Sequence, residues 1–217
     1  MYKKSGLTIM ELVIVLVITI LLSMIILPVL KTMRKSGDKA TCVNNLKQIG
    51  IAFSVYRSDY NGFIPASYWW NSAGSEEDTW DNILLSYIDK DPTLSTPRIY
   101  LCPTYIKQHP DFKAASPPHI SDIKRTYGMN NTTCPGFNIN TEPEKWPHID
   151  KIVVPSSTIL IAPVTRTNYN GTFLEEPVAD PTRNVDFIRH KKGAQYLFFD
   201  GHVEWMSEND HGEWENN

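Results

Sequence analysis

The chain carries a predominantly apolar run at residues 7–30, in which Glu11 is the only charged side chain. As a helix the run is about 36 Å long at 1.5 Å per residue, enough to cross a bilayer. A carboxylate at the centre of a bilayer costs roughly 2.5–3.5 kcal/mol, so an intramembrane Glu normally has a partner. Lys3 and Lys4 precede the run and predict a cytoplasmic N-terminus. The run therefore predicts a single membrane span that leaves the rest of the chain outside.

Two ordinary explanations compete for such a run. A basic start followed by apolar residues is also typical of a secretory signal peptide or of a plain signal anchor. The run is too long for the core of a signal peptide, and no small-residue cleavage site follows it. A membrane anchor is therefore favoured, and composition alone leaves the plain signal anchor open.

The residues around the start of the run favour a more specific interpretation. The sequence KKSG-LTIMEL closely resembles the cleavage and methylation motif of type IV prepilins and type II secretion pseudopilins. The resemblance implies that a prepilin peptidase cuts after Gly6 and that Leu7 becomes the N-methylated terminus. It also implies that Glu11 pairs with the terminal amine of a neighbouring subunit, and that Pro28 is the helix-bending proline common in pilins. The family usually has Phe where this chain has Leu7, although pseudopilins vary there.

Periodicity predicts that the helix continues beyond Leu30. Apolar or small residues recur at intervals of three and four, as on one stripe of an amphipathic helix. Asn61-Gly62 predicts the end of the helix near Tyr60, because Gly and Asn favour the left-handed C-terminal cap, and Pro65 follows. The predicted stripe consists of Met33, Gly37, Ala40, Val43, Leu46, Ile49, Gly50, Phe53, Tyr56 and Tyr60.

The remaining residues are enough for one modest globular domain. Dense Pro and Gly predict a loop-rich insert over residues 66–182, with a short helix at residues 79–88, a buried strand at residues 153–163 and a tight turn at Asn170-Gly171. Two strands are predicted at residues 194–199 and 202–206, joined by a two-residue turn at Asp200-Gly201.

The expected fold class is α+β and pilin-like. A long N-terminal α-helix, with a membrane half and an amphipathic half, would pack on a small antiparallel β-sheet that carries a loop-rich insert. The predicted segments are a prepilin leader at residues 1–6, a transmembrane or filament-core half at 7–30, an amphipathic half at 31–60, an exterior domain at 61–206 and a polar tail at 207–217.

A second resemblance lies near the C-terminus. His190 is followed by nine residues and then Asp200-Gly201, which resembles the H-x9-DG domain of a group of prepilin-type proteins. We expect structural roles for these residues. Asp tolerates the left-handed conformation and therefore suits the turn, and His190 would cap the turn or hydrogen-bond to it. Metal binding by His190, Asp200 and His202, and catalysis, stay open as alternatives. The same group resembles this chain at Cys42-x-x-Asn45-Leu46-Lys47-Gln48-Ile49-Gly50, Asp59-Tyr60-Asn61-Gly62, Cys102-Pro103 and Tyr127-Gly128-Met129-Asn130.

Composition narrows the function further. A formal net charge of −3 is a poor fit to nucleic acid, which requires a basic surface. No nucleophile with a recognisable local signature and no glycine-rich phosphate loop is present, so we do not expect an enzyme.

Cys42, Cys102 and Cys134 would lie in an oxidising compartment, where one disulfide and one free thiol is the simplest arrangement. The sequence does not choose among the three pairings, and the spacing does not suggest zinc.

Calcium and a glycan are the two ligands that the sequence does not exclude. Major pseudopilins hold calcium near their final strands, which implies Asp180, Asp186 and Asp200 as weak candidate ligands. Surface acids are usually only solvated, so no cofactor is expected. The chain has six tryptophans, which either stack on sugar rings and subunits or plug a small core, and the second role is favoured.

The sequence thus predicts a pseudopilin-like subunit of the bacterial inner membrane, single-pass, with its C-terminal domain extracytoplasmic. Its partners would be the prepilin peptidase, like pilin or pseudopilin subunits and the inner-membrane assembly machinery. Such a subunit would join a type II secretion-like pseudopilus or a type IV pilus-like filament. Two other classes remain: a non-polymerising, membrane-anchored module that binds glycan or a secreted substrate, and an envelope enzyme that uses His190 and Asp200.

Overall fold

The computed structural model describes residues 8–70, 77–88, 98–110, 125–130, 133–134, 137–138, 146–164, 173–174, 185–186, 189–190 and 192–207. The chain divides into two compact units, Met1–Asp38 and Lys39–Asn217. The first helix, α1 (Ile9–Asp59), spans the boundary between them. A small sheet follows this helix, so the expected α+β class is confirmed. The five segments predicted from the sequence remain a prediction.

One stripe of α1 is buried in the second unit. The buried positions begin at Cys42 and recur at intervals of three and four, as expected for the inner face of an amphipathic helix. The predicted stripe is therefore correct from Leu46 to Tyr56. It is wrong at Met33, Gly37, Ala40 and Tyr60, which are exposed. The buried stripe consists of Cys42, Asn45, Leu46, Ile49, Gly50, Ala52, Phe53 and Tyr56.

The predicted end of α1 is confirmed. Asn61 and Gly62 both have positive φ, 51° and 93°, and the Gly62 N–H donates to the carbonyl of Arg57 at 2.8 Å. This six-to-one bond is that of a Schellman cap. The cap is held against a distant segment, because Nε2 of His148 lies 3.0 Å from the Asn61 carbonyl and the Ile149 N–H donates to the Gly62 carbonyl.

The five strands of the main sheet are β3 (Tyr127–Asn130), β5 (Ile159–Pro163), β6 (Phe173–Leu174), β7 (Gly193–Phe198) and β8 (Val203–Ser207). Their order in the sheet is β6-β3-β5-β7-β8. Four of them form antiparallel pairs, and β6 adds to the edge in parallel with β3. The predicted strand at residues 153–163 is shorter than expected, since Val153 and Val154 are exposed before β5 begins.

The two predicted C-terminal strands are confirmed, but the predicted turn between them is wrong. The Phe198 N–H donates to the His202 carbonyl, and the Gly201 N–H donates to the Phe198 carbonyl, both at 3.0 Å. Three residues therefore form the loop, and Gly201 is its left-handed member with φ 91°. A two-residue Asp-Gly turn would need positive φ at Asp200 as well, which the structure does not have.

The insert contains short elements. The predicted helix at residues 79–88 is two helices that are separated at Leu84, and a second, three-stranded sheet has the order β2-β1-β4. The tight turn predicted at Asn170-Gly171 lies outside the described residues. These elements are β1 (Tyr68–Trp70), β2 (Glu77–Thr79), α2 (Trp80–Ile83), α3 (Leu85–Ile88), α4 (Pro103–Gln108) and β4 (Phe137–Asn138), with 3-10 helices at Arg98–Tyr100 and Ile149–Lys151.

Alternation along β7 produces two apolar clusters. Leu197 belongs to the larger cluster, which contains the α1 stripe, Trp80 and Tyr100. Its neighbours Tyr196 and Phe198 belong to the smaller cluster on the other face. Successive residues of a strand point to opposite faces, so one strand contributes to both clusters.

We predict that Gly62→Ala destabilises the second unit by about 1–3 kcal/mol, the usual cost of a strained backbone conformation. A Cβ on Gly62 would lie 2.5 Å from Nε2 of His148, which holds the helix cap. Urea denaturation of the full chain in detergent measures the loss. Gly37→Ala is the matched control, because nothing lies within 4 Å of its Cβ. Equal midpoints for the two variants would contradict the prediction.

Candidate functional site

The first described residues form three reciprocal hydrogen bonds between Thr8 and Glu11. The backbone N–H and the hydroxyl of Thr8 donate to Oε2 of Glu11 at 2.8 and 2.9 Å, and the Glu11 N–H donates to Oγ1 of Thr8 at 3.3 Å. Thr8 is thus the N-cap and Glu11 the third residue of α1, the arrangement of a capping box. Gly6 and Leu7, the predicted cleavage residues, lie outside the described residues.

The first part of α1 is long and apolar enough to cross a membrane, by length and composition. All its side chains from Thr8 to Leu30 are exposed, so none of its apolar side chains belongs to the buried core. The Thr19 and Ser23 hydroxyls donate to carbonyls three and four residues earlier, at 2.9 and 2.7 Å, so their polarity is satisfied inside the helix. Pro28 lies inside α1, and the bend expected there remains a prediction.

The structure pairs Cys42 with Cys102 and leaves Cys134 as a free thiol. The disulfide joins the buried stripe of α1 to the residue that precedes α4, and it closes a separation of 60 residues. Cys134 is buried, and burial raises the pKa of its thiol well above the ordinary value. A thiol held protonated in this way is a poor nucleophile.

Two hydrogen bonds hold the segment around Cys102 in place. Nδ2 of Asn45 donates to the carbonyl of Leu101 at 3.1 Å, and the Cys102 N–H donates to Oγ1 of Thr126 at 2.7 Å. Cys42 and Asn45 are three residues apart and therefore lie on the same face of α1. The predicted stripe omits Asn45, and its spacing from Cys42 was the signal that could have shown its place on the buried face. Thr126 has no comparable signal.

His190 lies beside the disulfide and not at the hairpin turn, so its expected role of capping that turn is wrong. Its Nε2 is 3.7 Å from Sγ of Cys102, and its Nδ1 is 3.4 Å from Oγ1 of Thr104. The His190 N–H donates to the carbonyl of Gly193, at the start of β7. Asp200 follows the other end of this strand, whose six residues span about 17 Å at 3.3 Å per residue. The two ends of the H-x9-DG pattern therefore do not form one site.

Arg189 anchors the backbone next to His190. Its buried guanidinium donates to Oδ2 of Asp186 at 2.9 Å and to the carbonyls of Thr126 and Val164, and it lies over the Tyr105 ring. Sequence reasoning missed this role. Asp186 is thus engaged by a cation, which makes it a poor ligand for calcium.

Asp200 has a local role at the hairpin. Its Oδ1 accepts from the His202 N–H at 3.0 Å and lies 2.6 Å from Nδ1 of His202. Partial burial raises the pKa of Asp200, but these contacts with His202 outweigh it and lower the pKa overall. The predicted calcium candidates are not brought together, because Asp186 and Asp200 lie near opposite ends of β7, and Asp180 lies outside the described residues.

The tryptophans whose side chains are described have different surroundings. Trp80 is fully buried between Phe53 and Tyr100. The half-buried Trp146 donates its indole N–H to the carbonyl of Ile64 at 3.0 Å. Trp205 is 41% exposed and lies under the ammonium group of Lys39. Trp80 and Trp146 thus pack inside the domain, the role favoured over stacking on sugar rings or subunits.

Comparison with known proteins identifies the family. The model of a family described as "protein of unknown function (DUF1559)" matches residues 32–145, more than half of the chain. The chain belongs to the DUF1559 family. This family is found in prepilin-like and pseudopilin-like proteins. The match covers Cys42, Asn45 and Cys102 and ends before His190. No curated protein and no solved structure matches the chain.

We predict that reducing the Cys42–Cys102 disulfide destabilises the DUF1559 domain by about 4 kcal/mol, the chain-entropy value for a loop of this length. Urea denaturation of the full chain in detergent, with and without a dithiol reductant, measures the difference. Cys134→Ala is the matched control and should show the same reductant effect. A reductant effect that disappears in Cys134→Ala would contradict the assigned pairing.

Proposed function

We propose that this protein is a prepilin-like (pseudopilin) subunit that a prepilin peptidase cleaves after Gly6 and N-methylates on Leu7. The subunit would then assemble into a type II secretion-like pseudopilus or a type IV pilus-like filament. The observation that carries the proposal is the exposed apolar part of α1, which begins with the Thr8–Glu11 pair directly after Gly6-Leu7. Membership of DUF1559 supports it.

In this proposal the apolar segment has two successive environments. It first anchors the subunit in the inner membrane, with Lys3 and Lys4 on the cytoplasmic side and the second unit outside. It then packs among like helices in the filament. Glu11 would pair with the terminal amine of a neighbouring subunit. Such a pair forms only at one axial stagger, so it specifies how subunits are arranged.

The second unit would contact other subunits or cargo and would carry out no reaction. The separation of His190 from Asp200 supports this assignment, since a general base must lie within hydrogen-bonding reach of its partner. The H-x9-DG spacing supports membership of that prepilin-type group, with His190 and the Asp200-Gly201 pair in separate structural roles.

We predict that the chain loses residues 1–6 and gains one methyl group when it is expressed with an active prepilin peptidase. Intact mass and N-terminal sequencing of the membrane-extracted protein measure both changes. Gly6→Val should keep the original terminus, whereas Gly37→Ala should be cleaved like the parent. An uncut Met1 terminus beside active peptidase would contradict the proposal and would put the non-polymerising binding module first.

We predict that Glu11→Ala remains in the membrane but no longer enters filaments, as measured by its share in sheared or cross-linked assemblies. Because Glu11 also caps α1, two variants separate charge from capping. Glu11→Gln keeps a hydrogen-bond acceptor without the charge, and Thr8→Ala keeps the charge without the capping partner.

The charge-pairing role requires that Glu11→Gln fail like Glu11→Ala and that Thr8→Ala still assemble. The opposite pattern, assembly of Glu11→Gln and failure of Thr8→Ala, would show that Glu11 acts only as a helix cap. Equal incorporation of all three variants would show that the carboxylate has no part in assembly.

A further inference from the structure

One cluster of reactive side chains has no role in the proposed assembly. Cys42 of α1, Cys102 before α4 and His190 before β7 place two sulfurs and an imidazole nitrogen within 4.8 Å of one another. Three segments far apart in the sequence supply them, which is why spacing alone gave no sign of a metal site. Both cysteines are buried and His190 is half-buried.

We propose that, while Cys42 and Cys102 are thiols, this cluster binds one zinc-like divalent cation through both sulfurs and Nε2 of His190. Formation of the disulfide removes both sulfur ligands and so releases the ion. The cluster is then a metal site in the reduced chain and a covalent link in the oxidised chain.

The distance between the Cys102 sulfur and the His190 nitrogen matches such an ion. With bonds of about 2.3 Å to sulfur and about 2.1 Å to nitrogen, tetrahedral coordination separates the two ligand atoms by about 3.6 Å. Sγ of Cys102 and Nε2 of His190 are 3.7 Å apart. Two thiolates neutralise a divalent cation, and soft sulfur ligands favour zinc over calcium. Three protein ligands leave the fourth position for water.

The surroundings of His190 orient the ring for this role. Thr104 contacts Nδ1, while Nε2 faces Sγ of Cys102. Partners of this kind, on the nitrogen that does not bind the metal, fix the orientation and tautomer of a ligating histidine. The adjacent Arg189 is anchored by Asp186 and two carbonyls, so the backbone that carries His190 is held as well.

The two states differ by two electrons and two protons. When the disulfide forms, the thiols of Cys42 and Cys102 become bonded to each other. An external disulfide oxidant accepts the two electrons and two protons and is reduced to two thiols. Metal binding to the thiol form releases the two thiol protons to solvent, because the thiolate is the ligand. The newly synthesised chain carries thiols, so the metal-binding state precedes the disulfide.

A cobalt titration tests the proposal. The full chain in detergent is reduced with a phosphine, the phosphine is removed, and Co²⁺ is added while the thiolate-to-cobalt charge-transfer absorption is followed. We expect one Co²⁺ per reduced chain, displaced by Zn²⁺, and no such band in the oxidised chain. His190→Ala should bind at least 10-fold more weakly and Thr104→Val about 10–100-fold more weakly. Cys134→Ala, the matched control, should bind like the parent.

Alkylation of the thiols supplies a readout that also monitors folding. Zn²⁺ should slow labelling of Cys42 and Cys102 in the reduced chain, while the buried Cys134 is labelled slowly with or without zinc. Rapid labelling of Cys134 whether or not zinc is present would show that the reduced chain has no folded site and would overturn the proposal. So would an absent cobalt band, an equal band in the oxidised chain, or undiminished binding by His190→Ala.

Discussion

The second unit depends on burial of one stripe of α1. Leu46 and Ile49 have no exposed surface and share a cluster with Ile161 and Leu197 of the main sheet. Full burial of an aliphatic side chain of this size contributes about 1.5–3 kcal/mol, more than a typical hydrogen bond. At Gly50 the absence of a side chain leaves room for Leu197, whose Cδ1 would lie 3.0 Å from an added Cβ. The helix is thus the surface on which the sheet is organised.

The parts of the fold that follow from local chemistry could be predicted from the sequence. The end of α1 depends on two adjacent residues that accept positive φ, Asn61 and Gly62, and the C-terminal strands depend on apolar residues next to a Gly turn. The length of the loop between these strands was wrong by one residue, and the role of Asn45 depended on a distant partner. The predicted stripe omits Asn45, because its partner, the Leu101 carbonyl, is 56 residues away in the sequence.

The candidate site also depends on contacts between segments that are distant in the sequence. The sequence supplied Cys42, Cys102 and His190 but neither the pairing nor the contact between them, because three separate segments must fold before these atoms meet. The H-x9-DG spacing even favoured the wrong partner. His190 and Asp200 are close in the sequence, yet an intervening strand holds them at opposite ends. A short separation predicts contact only when the chain between the two residues turns back.

Among the described residues, Glu11 has hydrogen-bond partners within its own helix but none that neutralises its charge. A carboxylate in apolar surroundings is unfavourable unless it is paired. The bonds with Thr8 hold the carboxylate at the start of α1, where the helix dipole favours a negative group, but they leave its charge unpaired. In the proposed assembly, an amine from another subunit would neutralise that charge, so the cap would position the group that the neighbour then recognises.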